Sequence, residues 1–167
     1  DDRTNAVIAP SGAFFGNDAY TISRDNPLVS DQQEATLFAA EDPSATTTDI
    51  LIGRRNVEGG PRDSDLRHLS YRILGGIKGN LIGDWDYDAS YQFGKTVRDN
   101  IYRGEFSRAR TIRALDVISD PDTGQPVCRS AADGSDPNCV PYNIFQIGGV
   151  TPEALAYLTV PGFANAV

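Results

Sequence analysis

The stretch "LSYRILGGIKGNLIGDWDYDASYQFGKTV", residues 69–97, alternates between two kinds of side chain, and no other feature limits the fold as much. Its odd positions open with Leu69, Tyr71, Ile73, Gly75, Ile77 and Gly79, against Ser70, Arg72, Leu74, Gly76 and Lys78 at the even ones. After "NLIGD" the odd positions resume with Trp85, Tyr87, Ala89, Tyr91, Phe93, Lys95 and Val97, against Asp86, Asp88, Ser90, Gln92, Gly94 and Thr96. Successive side chains of a β-strand point to opposite faces, so this period of two predicts strands over 69–79 and 85–97. The short break between them makes an antiparallel hairpin. Each strand has about the 9–11 residues that cross a bilayer when tilted. Trp85 and Tyr87 sit at the turn end, where an interfacial aromatic girdle would fall. A soluble sandwich with its odd face in the core produces the same alternation, and periodicity does not separate the two.

The flanks are irregular. Residues 1–30 read as loop, because "SGAFFGNDAY" and "SRDNPLVS" are rich in Gly, Asn, Asp, Pro and Ser. "SDQQEATLFAA" reads as a short helix, with Ser30 as N-cap and Gln33 in the capping-box position. "TDILIGRRNV", 48–57, has strand character and would pair, across "EGGPRD", with the residues around "DLRH". Beyond residue 98, "SRARTIRALDVI" spaces Ile112, Leu115 and Ile118 as a short amphipathic helix. "SDPDTGQP" is a turn cluster. In "GVTPEALAYL", Thr151 is the N-cap of a further helix, Pro152 its first residue and Glu153 part of its first turn, and "VPGFANAV" ends it. Residues 99–167 show no convincing strand run, and so long an irregular stretch is unusual in a compact domain.

Charge removes one class of partner. With 15 basic and 23 acidic residues the chain carries a net charge of -8, a poor match to nucleic acid, whose phosphates demand neutralisation. Arg103, Arg108, Arg110 and Arg113 cluster locally and read as a solvated helix face. A 167-residue chain that is 40% hydrophobic can form one domain with a real core. No stretch approaches 18 consecutive apolar residues, so no transmembrane helix is expected. The opening "DDRTNAVIAP" has no signal-peptide pattern and the chain has no Met, as expected of a processed or excised segment.

Several segments together resemble a known family. "GRRNVEGGPRDSDLRHLSYR" (53–72), "RALDVI" (113–118), "CRSAADGSDPNCVPYNIF" (128–145) and "GGVTPEALAYL" (148–158) are similar, in this order, to the TonB-dependent outer-membrane receptors of Gram-negative bacteria. Within that family they look most like the long-looped subgroup common in alphaproteobacteria. The likeness covers most of the chain from about residue 20 onward. It implies a mainly β chain: an antiparallel hairpin of a transmembrane β-barrel, with long extracellular loops carrying short helices. Such barrels have about 22 strands and an N-terminal plug. No plug-like segment or energy-coupling box is seen, so the resemblance implies an internal barrel fragment. Residues 1–68 would be an extracellular loop with a protruding hairpin, 69–98 the transmembrane hairpin with "NLIGD" as its periplasmic turn, and 99–167 a second extracellular loop.

The resemblance implies import of a scarce small-molecule ligand (a siderophore, cobalamin or an oligosaccharide), with outer-membrane lipid around the barrel and the TonB system acting through the parent's plug. It implies no cofactor, no nucleic-acid partner and no enzyme activity. A soluble extracellular binding or adhesion module with the same hairpin is the other reading. Candidate ligand contacts are Tyr142, Asn143, Phe145 and Tyr157, since loop aromatics recognise sugars and chelates well, although packing within the loop would equally explain each. Cys128 and Cys139, the only cysteines, raise three possibilities: a staple, a metal site or a redox pair. Placed in an extracellular loop they would be oxidised to a disulfide. Zinc would need more ligands than these and the distant His68, and no C-x-x-C motif is present. "DPDTG" and "DGSDPN" lack the full calcium-loop pattern and read as Asx turns. No G-x-S-x-G elbow accompanies His68, and Asp86, Asp88, Asp120 and Asp122 carry little signal in so acidic a chain.

Overall fold

The computed structural model describes residues 2–10 and 19–166, so the loop expected over 11–18 lies outside the described residues. In chain order the elements are β1 (Asp2–Ile8), β2 (Tyr20–Ser23), α1 (Asp31–Leu37), β3 (Thr47–Ile50), a 3-10 turn (Val57–Gly59), β4 (Arg62–Asn80), β5 (Asp86–Phe106), α2 (Arg108–Leu115), β6 (Val117–Ser119), β7 (Pro126–Cys128), α3 (Arg129–Ala132), α4 (Pro152–Leu158) and β8 (Thr159–Ala166). The chain is mainly β. Its strands form a four-stranded sheet of order β1-β4-β5-β8 and two small two-stranded sheets, β2-β3 and β6-β7. The residues divide into two compact units: one holds 1–7, 63–102 and 162–167, the other 8–62 and 103–161.

The first unit is dominated by β4 and β5, of 19 and 21 residues. Their contacts fix an antiparallel register: the Leu81 N–H donates to the Trp85 carbonyl, Asn80 Nδ2 to Asp86 Oδ1, and the Tyr71 and Phe93 rings lie 6.0 Å apart. Odd residues therefore face odd residues, as the alternation predicts. The Tyr87 ring lies over Gly79, where a Cβ would come within 2.9 Å of its hydroxyl. The strands run past the expected 69–79 and 85–97. Further along, Ser64 Oγ donates to Asn100 Oδ1, and the Arg3 guanidinium of β1 forms a two-pronged ion pair with Asp65 of β4.

The second unit is built on a core of Tyr20, Ile22, Ile52, Phe106, Leu115, Tyr142, Tyr157 and Leu158 with both cysteines. The expected helix starts are present. The Ser30 hydroxyl accepts from the Gln33 N–H while Gln33 Oε1 accepts from the Ser30 N–H, and the Thr151 hydroxyl accepts from the Ala154 N–H. Leu158 is fully buried, with Leu155 and Phe145 packed at the core margin. Each large apolar side chain removed from water here stabilises by about 1.5–3 kcal/mol. Gly104 (φ 76°) ends the regular part of β5; a Cβ there would lie 3.0 Å from the Pro61 carbonyl oxygen, so both conformation and space require glycine.

Four expectations are corrected. Residues 1–30 are not uniformly loop, since they contain β1 and β2. The strand expected at 48–57 is β3, Thr47–Ile50, and pairs antiparallel with β2 (Tyr20↔Ile50, Ile22↔Thr48) rather than around "DLRH". This pairing buries Tyr20, Ile22 and Thr48 on one face, a stronger reward than the charged "DLRH" offers. Residues 99–167 hold the end of β5 together with β6, β7 and β8, and "VPGFANA" is extended rather than a helix end. Ile118 lies in β6, not on α2, because Asp116 caps that helix.

Candidate functional site

Two surfaces could meet something other than water. The first is the odd face of the hairpin. Ile73, Ile77 and Tyr91 on this face are 64%, 67% and 73% exposed, and Tyr71, Tyr87 and Phe93 are exposed as well. The apolar band on β4 runs from Leu69 to Ile77. At about 3.4 Å per residue this is roughly 27 Å of strand. Charges bound it at one end, Asp63, Asp65 and Arg67 on β4 and Asp99, Arg103 and Glu105 on β5, and Lys95 of β5 lies on the same face within it, near that end. At the other end the turn exposes Leu81, Ile82 and Trp85. The even face of the same segment presents Arg72, Lys78, Asp86, Asp88 and Gln92, together with Leu74.

The second surface is an open groove of about 720 Å³ within the second unit. One wall is the outward face of the β2–β3 ladder. Because Tyr20 and Ile22 point inward, Thr21, Ser23 and Thr47 point outward into the groove. Asp116, at the end of α2, and Arg129, at the start of α3, close the far side, with the exposed Ile112 beside them. Arg129 is held by two carboxylates: its Nε donates to both oxygens of Asp116 (3.1 and 3.2 Å) and its Nη2 to both oxygens of Asp25 (3.0 and 3.1 Å). Ser23 Oγ donates to Asp116 Oδ1, and Thr21 Oγ1 to Asp49 Oδ1. No residue of this groove stood out in the sequence. Arg129 lies between the cysteines in a run that reads as turn, and Asp25 is 104 positions before it.

The residues singled out from sequence fall elsewhere. Tyr142 is fully buried: its ring meets Phe106 edge-on at 6.0 Å, its hydroxyl donates to Asn56 Oδ1 and accepts from Arg54 Nη1, and its N–H donates to the Ala114 carbonyl. Burial pushes its hydroxyl up to about 12. Tyr157 is also buried, with its hydroxyl on Asp136 Oδ2 (2.7 Å); burial and that bond raise its pKa. Asn143 is half-buried and turns its Oδ1 to the Phe145 N–H. Phe145 is half-buried, its carbonyl accepts from Gln33 Nε2, and its ring edges a second hollow of about 290 Å³ with Leu37. The four are therefore not brought together on one surface.

Cys128 and Cys139 form a disulfide, with sulfurs 2.20 Å apart and both side chains buried. Two neighbours use the ring it closes: Arg129 as above, and Asp136, which accepts from Tyr157 and from Arg113 Nη1 (3.0 Å). The Tyr157 hydrogen bond and the Arg113 charge hold the Asp136 carboxyl below the usual range, and hydrogen bonding to Ser135, whose N–H donates to Asp133 Oδ1, does the same for Asp133. Two of the clustered arginines are thus structural ties, Arg113 to Asp136 and Arg110 to the Tyr157 carbonyl. Asp120 Oδ1 accepts from the Asp122 and Thr123 N–H groups, an Asx turn. Among the described residues no group of three or more His, Cys, Asp or Glu could hold a metal, and His68 is exposed on β4. Among the described residues no helix is long and apolar enough to cross a membrane. No protein-family model, curated protein or solved structure matches the chain.

Proposed function

We propose that this chain is a segment of a TonB-dependent outer-membrane receptor, which contributes a lipid-facing hairpin and an extracellular ligand-capturing unit to the uptake of a scarce small molecule. One observation carries the reading: the odd face of β4 and β5 exposes an apolar, aromatic band along about 27 Å of strand, which at the roughly 35–45° tilt of outer-membrane barrels stands about 20 Å tall, and Leu81, Ile82 and Trp85 at the turn extend it toward the roughly 25 Å of the outward band of such barrels. In water such a face would be an aggregation hazard. In lipid it is the expected outer surface, and the mixed even face is the expected lumen wall. On this reading the chain does no bond chemistry. The soluble adhesion module remains the alternative, and it requires some other chain to cover the same face.

Cysteine labelling tests the proposal. Both cysteines of this chain are consumed in the disulfide, so a single introduced thiol has no background from it. In the receptor embedded in outer membranes, Gln92→Cys is expected to react with a membrane-impermeant maleimide. Tyr91→Cys is expected to stay protected until detergent is added. Equal labelling of the two, or labelling of Tyr91→Cys alone, overturns the lipid-facing assignment.

A further inference from the structure

The groove closed by Arg129 has no part in the membrane argument, and its chemistry selects among ligands. We infer that it is a binding site for a neutral polyhydroxylated ligand, an oligosaccharide rather than a charged metal chelate; this deepens the receptor reading by naming the class of ligand.

The charge balance comes first. The charged residues lining the groove are two guanidiniums, Arg24 and Arg129, and two carboxylates, Asp25 and Asp116, so the lining is neutral. Arg24 is engaged outside the groove, with Nη1 on Glu34 and Nε on the Ala45 carbonyl. An anionic chelate would have to compete with Asp25 and Asp116 for Arg129, on a chain whose net charge is already -8. A cation would have to take carboxylates that are already paired. A neutral ligand disturbs neither pair.

The hydrogen-bonding groups fit hydroxyls. Arg129 is locked from two sides through Nε and Nη2, which leaves Nη1 with no partner among the described residues and fixed in direction. A guanidinium held in this way is a donor that loses little freedom on binding. Asp25 is largely exposed and keeps lone pairs for a ligand hydroxyl. The Thr21 and Ser23 hydroxyls spend their protons on Asp49 and Asp116, so they meet a ligand as acceptors. Adjacent fixed donors and acceptors match the vicinal hydroxyls of a sugar, each of which gives and takes one bond. Ile112 supplies an apolar patch for a C–H face. At about 720 Å³ the groove falls in the range of small-molecule sites, about 300–1,000 Å³. A peptide would want more than one apolar anchor, and Ile112 is the only exposed large apolar side chain in the lining.

The test uses the full chain in detergent micelles against an array of neutral oligosaccharides (glucans, xylans, mannans and chitin fragments), with ferric citrate and a random peptide pool as the competing classes. Binding of at least one oligosaccharide is expected, weakened at least tenfold in Arg129→Gln and in Asp25→Ala, and unchanged in Gln32→Ala, which lies at the other hollow. Asp25 is exposed in a loop, so its removal leaves the fold intact, and near-ultraviolet circular dichroism confirms this. A blank array, binding that survives both substitutions, or preference for ferric citrate or peptide overturns the inference. A blank array with the labelling pattern above intact removes the sugar and keeps the receptor; sugar binding with both thiols labelled does the reverse.

Discussion

Tyr91 and Tyr142 are the same residue in opposite circumstances: one is 73% exposed on a 21-residue strand, the other has no exposed surface in a loop. The hairpin unit is regular in backbone and turns its aromatics outward. The other unit is irregular in backbone and turns its aromatics inward. β4 and β5 are each paired on both sides, and strands so paired satisfy their backbone polar groups without help from water, which is the condition for lying in lipid. An irregular chain leaves many such groups to be tied by side chains. That is the role of Asn26 on the Leu115 carbonyl, Arg110 on the Tyr157 carbonyl and Gln33 on the Phe145 carbonyl. Regularity and outward aromatics thus belong together, as do irregularity and a self-made core with a staple.

The contrast breaks first under truncation. Leu115→Ala in the second unit is expected to cost about 2–5 kcal/mol, whereas Ile73→Ala, already exposed, costs under about 0.5 kcal/mol in detergent. Denaturant unfolding of both variants measures this, and comparable losses would mean that the hairpin's odd face is buried in a core. Next comes charge. On the receptor reading, Tyr91→Arg is expected to lose about 2–4 kcal/mol of barrel stability and Gln92→Arg far less, read from heat-modifiable gel mobility. A worse outcome for Gln92→Arg would invert the faces. Removing the staple as Cys128→Ser with Cys139→Ser should cost up to about 3 kcal/mol, all of it in the second unit. Free-thiol titration of the unreduced, denatured native chain should find no thiol.

The last two effects are smaller and depend on pH. Tyr142→Phe deprives Asn56 of its hydroxyl partner and should cost about 1–3 kcal/mol. Folding raises the pKa of Tyr142 above its unfolded value of about 10, so its contribution is complete below pH 10 and disappears as the pH climbs toward about 12. The alkaline slope should shrink in the Phe variant, and an unchanged slope would show that another group sets it. Asp136 is the mirror case. Folding lowers its pKa, so its contribution is present above the unfolded value of about 3.9 and fades as the pH falls below it. Asp136→Asn should flatten the acid limb of the second unit's melting curve and leave the hairpin's signal unaltered.

The sequence shows most where solvents differ across a strand. On the receptor reading each step between 69 and 97 changes the environment, and the residue types alternate accordingly. Beyond the apolar band β4 and β5 are mostly polar on both faces, and Leu66, Ile101 and Tyr102 are too few to set a period over Arg62–His68 and Arg98–Glu105, so the strands run longer than the alternation predicts. Helix starts were legible because a cap is a local arrangement, as at Ser30 and Thr151. β2 and β3 were not paired correctly because their partnership spans the whole of α1 and rests on burial. β8 was hidden by Pro161 and Gly162, which read as the end of a helix. The groove was invisible because its guanidinium, Asp116 and Asp25 are joined by folding alone.

The ring closed by Cys128 and Cys139 has a consequence in time. It holds Arg129 at one end and, through Asp136, the Arg113–Tyr157 corner toward the other. A chain still in the reducing compartment of its synthesis has no such ring. On the receptor reading the ring that tethers Arg129 is then closed only after export, so the groove's guanidinium gains its anchor where the groove is to be used.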